Sequence, residues 1–162
     1  MEIFKKFGEE RFSNLLAAKI IEARQGTILA TAGEFKDVIH SAFPKCTVAE
    51  RNQSTKRAFQ AIRIAVNQEF LSLATFLDNC PRTIMDTRES RRMLKKSAMG
   101  SSMLMVITFH SLEERMVSQA MARWRKAKLG DVATKKPVEP SEDELEENSK
   151  SRSAKLWSFM FD

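Results

Sequence analysis

Two groups of residues have the types and spacing that could support chemistry. In the first, Gln60, Arg63 and Asn67 recur at i, i+3 and i+7, so on a helix they form a polar stripe beside the apolar Phe59. Amide and guanidinium groups on such a stripe could contact RNA or a neighbouring cofactor loop. The same stripe could instead pack as polar contacts between a helix and a sheet. The pattern leaves both readings open.

The second group is Phe109, His110 and Ser111, which follow a short apolar run. If that run is a strand, these residues lie at its carboxyl end, where the sites of α/β proteins assemble. His110 could then orient a substrate base or a backbone group. The simpler role, which a single histidine favours, is a hydrogen bond that stabilises the turn between strand and helix. Neither group supplies an identifiable catalytic base.

Metal and membrane sites are not expected. The two cysteines lie far apart and form no CxxC pair, and there are only two histidines, so the sequence predicts no zinc site. No apolar run reaches about 18 residues, so it also predicts no membrane span.

Charge is concentrated in the middle of the chain. Residues 51–128 carry a net charge of +9, against 0 for residues 1–50 and −3 for residues 129–162. A basic region of this kind fits a polyanion such as RNA, although a solvated basic surface gives the same count. The candidate phosphate contacts are Lys56, Arg57, Arg88, Arg91, Arg92, Lys95 and Lys96.

Helical periodicity and caps predict the elements that carry these residues. Residues 12–24 form one amphipathic helix, and a capping box at Thr31 and Glu34 opens a second that ends at Pro44. A long third helix covers residues 54–77, and Pro81 closes the region. Residues 82–102 then predict a basic loop or weak helix.

The second half of the chain has a different pattern. Residues 103–109 are apolar without a break, which is typical of a strand buried on both faces between parallel neighbours. A capping box at Ser111 and Glu114 then opens a helix with Trp124 in the core. After an acidic turn, residues 154–161 suit a late strand. Because no parallel neighbour is visible, the missing strands must come from another chain or from a larger protein.

Four ordered blocks resemble one known family. Arg57 to Asn67 reads RAFQAIRIAVN and Thr108 to Arg115 reads TFHSLEER, which is similar to the signature blocks of the MraW-like small-subunit ribosomal RNA cytosine N4-methyltransferases. Two weaker blocks, FGEERF at residues 7–12 and RSAKL at residues 152–156, occur in the same order as in that family. The four quoted blocks span residues 7–156.

The resemblance implies a fold and a division of the chain. It implies an α/β protein: an incomplete Rossmann-like methyltransferase with its late strands and helices, preceded by a helical insertion domain. The implied parts are residues 1–50 as part of the insert, 51–81 as the long helix returning to the catalytic domain, 82–102 as the basic loop, 103–128 as a strand–helix unit, and 129–162 as a tail with an acidic turn and a late strand.

The resemblance does not extend to the cofactor half. The family's glycine-rich S-adenosylmethionine loop has no counterpart, since no two of the five glycines form a GxG. The stretch at residues 53–56 also departs from the family pattern. We therefore expect S-adenosylmethionine to be bound only through a missing half or a partner chain, a second methyltransferase-like subunit that completes the sheet.

Two functions fit this resemblance. The chain could be a subunit or remnant of the rRNA methyltransferase, or a catalytically inactive assembly factor that binds rRNA as a scaffold. Both predict small-subunit rRNA and a ribosome assembly intermediate as partners. Divergence from the bacterial pattern suggests a mitochondrial location, with the cytoplasm as the alternative.

Overall fold

The computed structural model describes residues 1–26, 28–93 and 102–162 and divides the chain into two units, Met1–Glu69 and Phe70–Asp162. The first unit is helical. The second combines helices with a small antiparallel sheet. The mixed α/β class is therefore confirmed. The assignment of residues 1–50 to an insertion domain stays a prediction.

Four helices build the first unit: α1 (Glu2–Lys6), α2 (Ser13–Gly26), α3 (Ala32–Ala42) and α4 (Val48–Asn67). The predicted capping box at Thr31 is present, and a second one at Thr47 and Glu50 starts α4. Their apolar faces meet in one core, whose fully buried side chains include Leu16, Ile39 and Ala58. Periodicity placed α2 and α3 to within two residues.

Gly8 allows the loop between α1 and α2 to pack directly on α4. A Cβ atom at this position would lie 2.7 Å from the Arg57 carbonyl oxygen and 2.9 Å from that of Phe4. Both neighbours are backbone atoms that cannot move aside cheaply, so the position requires glycine. The FGEERF and RAFQAIR blocks, 50 residues apart in sequence, are thus in contact.

The predicted long helix is in fact two helices. Helix α4 ends at Asn67, Gln68 adopts a left-handed conformation (φ +52°, ψ 37°), and α5 (Glu69–Met93) begins at the next residue. A left-handed residue ends a helix because the backbone can no longer continue the hydrogen-bond ladder. Periodicity missed this break because the apolar spacing continues through it.

Helix α5 also runs through Pro81, where the sequence predicted a stop, and of the two predicted alternatives, a loop or a weak helix, residues 82–93 are helical. Leu77 and Cys80, in the turn before the proline, are 2% and 7% exposed in the core of the second unit. The Asn79 side chain, before the proline, donates to the Thr75 carbonyl oxygen, and the Thr83 hydroxyl, after it, donates to that of Asn79. Packing therefore outweighs the hydrogen bond that proline cannot make.

The described strands form a sheet of order β1–β3–β2, from β1 (Ser102–Thr108), β2 (Gly130–Val132) and β3 (Lys155–Phe161). Both pairings are antiparallel, with Met105 opposite Ser158. Among the described strands β1 therefore has no parallel neighbour, as the sequence indicated, and this chain buries only one of its two faces. Met103, Met105 and Ile107 are 50%, 60% and 57% exposed on one face of β1.

The opposite face of the sheet packs on α6 (Ser111–Lys126). Trp124 contacts Phe159 edge-on with ring centroids 5.3 Å apart, and Phe159 contacts Phe161 at 4.8 Å. The burial of Trp124 confirms its predicted core position. Gly130, which starts β2, has φ +148°, and an added Cβ would collide with the Met160 carbonyl oxygen.

The acidic tail forms a short helix α7 (Glu142–Glu147), followed by a 3₁₀ turn (Ser149–Ser153) that leads into β3. The predicted cap is present, since the Ser141 hydroxyl accepts a hydrogen bond from the Glu144 N–H at 3.2 Å. The late strand was predicted to within one residue.

Candidate functional site

The turn between β1 and α6 carries Phe109, His110 and Ser111, as the sequence predicted. The Phe109 N–H donates to the Glu113 carboxylate at 2.7 Å, and the Glu113 N–H donates to His110 Nδ1 at 3.3 Å. This reciprocal pair is the N-cap of α6. The cap is therefore His110 with Glu113, one residue earlier than the predicted Ser111 with Glu114.

This cap fixes the tautomer of His110. Because Nδ1 accepts a hydrogen bond from the backbone, the proton of the neutral ring lies on Nε2. Nε2 is 3.4 Å from Glu113 Oε1, is shielded from solvent, and makes no hydrogen bond within the part of the chain that the structure describes. The Phe70 ring packs against the imidazole, with centroids 5.8 Å apart. His110 thus offers a held N–H donor and has no free lone pair for general-base work.

A second polar contact ties the start of α6 to β3. Lys155 Nζ lies 3.0 Å from Glu114 Oε1, with both side chains partly buried. On the core side, the Trp157 indole N–H donates to the Thr108 hydroxyl at 3.2 Å, and Thr108 is 1% exposed. The end of β1 is therefore held by its neighbours β3 and α6. Such a rigid element is a suitable support for residues that position a substrate.

Two residues of the α4 polar stripe make contacts within the chain. Arg63 donates from Nε and from a terminal guanidinium nitrogen to the two Glu69 carboxylate oxygens, at 2.8 and 3.1 Å. Asn67 donates to the same carboxylate at 3.2 Å. Glu69 therefore gathers both residues across the left-handed Gln68 and fixes the break between α4 and α5. Sequence reasoning missed Glu69, although an acid two residues after Asn67 is a visible signal.

The other predicted residues of α4 have unlike surroundings. Gln60 reaches the Phe7 carbonyl oxygen at 3.5 Å, and Phe59, 37% exposed, contacts Phe35 edge-on at 5.4 Å. Lys56 is exposed and Arg57 is half-buried. The side chains of Arg88, Arg91 and Arg92, and the whole of Lys95 and Lys96, lie outside the described residues, so those proposed phosphate contacts stay predictions.

The β1–α6 turn does not suit a phosphate- or S-adenosylmethionine-binding loop. Such a loop needs glycines that let a ligand approach free backbone N–H groups at the start of a helix. Here the turn contains Phe109 and His110, and the Glu113 and His110 side chains already take two of those N–H groups. This turn therefore lacks the features of a cofactor cradle.

The described parts of the chain show neither a membrane-spanning helix nor a metal-binding cluster. No helix there is long and apolar enough to span a membrane. Those residues also contain no group of three or more His, Cys, Asp or Glu side chains placed to hold a metal ion.

Comparison with known proteins shows which sequences are similar to this chain. The sequence model of the MraW methylase family matches residues 1–161. A ribosomal RNA small subunit methyltransferase H of Nostoc punctiforme is 39% identical over 155 residues, covering 96% of this chain and 45% of the relative. The protein of the same name from Sulfurihydrogenibium azorense is 33% identical over 95% of this chain and 48% of its own length.

The chain thus spans about half the length of the curated relatives it matches. The match runs through both units and includes the α4 stripe and the β1–α6 turn. This chain belongs to the MraW methylase family.

Proposed function

We propose that this chain is the carboxy-terminal portion of a ribosomal RNA cytosine-N4 methyltransferase that acts in maturation of the small ribosomal subunit. The observation that carries the proposal is the uncovered side of β1 in a chain that matches the family along its length. In this proposal a second methyltransferase-like chain or segment binds S-adenosylmethionine and completes the sheet.

Strand β1 has the features of an interior strand. One edge pairs with β3, and the other pairs with none of the described strands. Ser102–Thr108 contains no charge and no proline, the usual protections of a solvent-facing edge. An uncharged strand with exposed Met103, Met105 and Ile107 is suited to accept a further strand.

An apolar groove continues this surface. Its volume is about 900 Å³, and it is lined by Leu71, Phe76 and Ile84 of α5 together with Met103 and Leu104 of β1. Leu71 and Phe76 are 62% and 47% exposed. Apolar surface of this extent marks an interaction site. Met103 belongs both to the groove and to the exposed face of β1, which supports a single partner covering both.

Within such a complex the residues of this chain hold the substrate in place and take no part in the chemical step. The His110–Glu113 cap fixes the carboxyl end of β1, and Lys155 with Glu114 fixes α6 against β3. Rigid placement of a reacting nucleotide is itself a large contribution to rate.

The test is native purification of the tagged chain, with its partners identified by mass spectrometry and methyl transfer to immature small subunits measured with labelled S-adenosylmethionine. We expect a stoichiometric partner with a glycine-rich cofactor loop. Met105→Lys should abolish its recovery because the lysine places a charge at the covered face. Val66→Lys, at a residue 74% exposed on α4, is the matched control and should have no effect.

The alternative function has a distinct outcome in the same experiment. The chain could be recovered with small-subunit precursors and assembly factors, but with no cofactor-binding partner and no methyl transfer. This result would assign it the function of a non-catalytic scaffold instead of part of an enzyme. We also propose the mitochondrion as the location. Recovery of the complex from the mitochondrial fraction supports this, and recovery from the cytoplasm contradicts it.

A further inference from the structure

Four lysines border the β2 edge of the sheet in the second unit. Lys126 and Lys128 lie at the end of α6, just before β2, and Lys135 and Lys136 follow β2 in the next loop. All four residues are exposed. Because β2 has three residues, about 10 Å at the usual rise of a strand, little chain separates the two pairs. We call these four residues the lysine strip.

The backbone on both sides of β2 is held in place. Before β2, Lys128 is left-handed (φ +57°), and its N–H donates to a carbonyl oxygen of the last turn of α6 at 3.0 Å. After β2, the Ala133 N–H donates to the Ser158 carbonyl oxygen at 3.1 Å, and the Thr134 hydroxyl donates to that of Lys136 at 2.7 Å. The lysines therefore extend from an ordered backbone, so binding does not have to order the chain first.

The chain leaves the charge of the lysine strip uncompensated. None of its four ammonium groups forms an ion pair with the residues that the structure describes. The neighbouring Arg123 and Arg125, by contrast, pair with Asp78 and Asp131 at 3.1 and 3.0 Å. The positive charge available to a partner at this edge is therefore that of the four lysines.

The acidic segment of the tail lies towards the other end of β3. Gly130, at the start of β2, is opposite Phe161 at the end of β3, whereas Val138, shortly before α7, bridges to Leu156 near its beginning. Residues 123–136 carry a net charge of +5 and residues 139–147 one of −6. A polyanion is therefore attracted along β2 and repelled beside α7.

The lysine strip and the apolar side of β1 belong to opposite edges of the described sheet. The strand order β1–β3–β2 places β3 between them, so the two edges lie about 10 Å apart at the usual spacing of strands. Strand β1 is uncharged, while the β2 edge is basic. A partner chain on β1 and a polyanion along β2 can therefore be bound at the same time.

The composition of the lysine strip favours phosphate groups over a protein surface. Between Lys126 and Lys136 the described structure has no large exposed apolar side chain, and the other exposed residues there are Ala127, Asp131, Ala133 and Thr134. The buried centre of a protein interface is apolar, which this surface cannot match. Phosphates need mainly positive charge, which it supplies.

We infer that the lysine strip binds the phosphate backbone of RNA at the sheet edge opposite the one that takes the second methyltransferase-like chain. The contacts are ion pairs between ammonium groups and phosphates, which position the RNA without reading its sequence. The inference rests on the RNA substrate of the proposed function and specifies a surface with which this chain holds that RNA.

The first test follows binding of a labelled RNA hairpin to the full chain by fluorescence anisotropy over a range of salt concentrations. The variant replaces all four residues of the lysine strip with glutamine. We expect it to bind roughly tenfold more weakly or worse. The slope of log affinity against log salt should become shallower by about 2 to 4, because each lost phosphate contact contributes about 0.9.

The matched control removes the same charge from the first unit. It replaces four exposed lysines with glutamine: Lys5, Lys6, Lys36 and Lys45. Both variants have the same net charge, so a difference between them reports the position of the lysines and not the total charge. We expect the control to keep the slope of the unmodified chain. Circular dichroism checks that each variant is folded.

Lysine footprinting gives a second readout on the unmodified protein. Bound RNA should protect the lysine strip from an amine-reactive reagent, as measured by mass spectrometry of the digested chain. Lys150, which is exposed and follows the acidic α7, should stay reactive.

Three results would overturn the inference and leave the proposed function intact. They are an unchanged slope in the strip variant, an equal change in the control, and a lysine strip that stays reactive while RNA is bound. Equal protection by polyglutamate at the same salt concentration would also overturn it and assign the strip to an acidic protein. If the unmodified chain binds no RNA, the RNA-binding part of the proposed function is wrong as well.

Discussion

At the scale of single residues, His110 combines a structural role with a possible functional one. Its Nδ1 caps α6, and its Nε2 remains an unused, shielded donor among the described residues. The two nitrogens can be separated by substitution, because asparagine keeps a side-chain cap and removes the second ring nitrogen.

We expect His110→Ala to lower the free energy of unfolding by about 1 kcal/mol, the usual value of a lost N-cap, and His110→Asn to restore most of it. Denaturant unfolding followed by tryptophan fluorescence measures this, since Trp124 and Trp157 both belong to the second unit. If His110→Asn is stable and still defective in methyl transfer within the purified complex, Nε2 acts on the substrate. Normal methyl transfer in His110→Asn would assign the residue to the cap alone.

At the scale of elements, helix caps determine where α3 and α4 of the first unit begin. The Thr31 N–H and the Ala30 N–H both donate to the Glu34 carboxylate, and the Thr47 N–H donates to that of Glu50. These backbone hydrogen bonds lower the pKa of Glu34 and that of Glu50 below the ordinary value of 4.5. The stability of the first turns of α3 and α4 therefore depends on pH.

A carboxylate whose pKa is lower in the folded state stabilises the fold above its unfolded pKa and loses that contribution as the pH falls through the folded value. We therefore expect helicity at 222 nm to become less resistant to heat below about pH 4.5. The double variant Glu34→Gln, Glu50→Gln should reduce this pH dependence, because glutamine can accept the same hydrogen bonds at any pH. Glu147→Gln, on α7, is the control. If the double variant and the unmodified chain show the same resistance to heat at every pH, Glu34 and Glu50 are not the source of the pH dependence.

At the scale of the whole molecule, charge and open surface are distributed unevenly. Residues 51–128 carry a net charge of +9, while the exposed apolar side of β1 is uncharged. Arg63, one of the basic residues of this region, is already paired with Glu69. We therefore assign it to the end of α4 and expect the RNA contacts to come from other basic residues.

We expect the affinity of the chain for single-stranded RNA to fall with salt, as it does when phosphate contacts release counterions. The double variant Arg91→Ala, Arg92→Ala should weaken binding and make the slope of log affinity against log salt shallower by about 1 to 2. Lys19→Ala, which removes a lysine paired with Glu22, is the control and should leave the slope unchanged. An unchanged slope in the double variant would remove this pair from the RNA-binding surface.

The sequence by itself determined α2, α3, the late strand and the family. Apolar periodicity located α2 and α3, the Thr31 and Ser141 caps were read directly, and the ordered blocks identified the relatives. These features are local, since they depend on spacing within a few turns of the chain. Four blocks in order also exceed what composition alone can produce.

Only the tertiary structure decided which polar residues meet and which faces remain open. Glu69 gathers Arg63 and Asn67 because Gln68 turns left-handed, and α5 continues through Pro81 because Leu77 and Cys80, in the turn before it, are buried. An unbroken apolar run could not reveal that β1 pairs with β3 and leaves Met105 exposed. Pairing and burial depend on residues some 50 positions away, and no local pattern contains them.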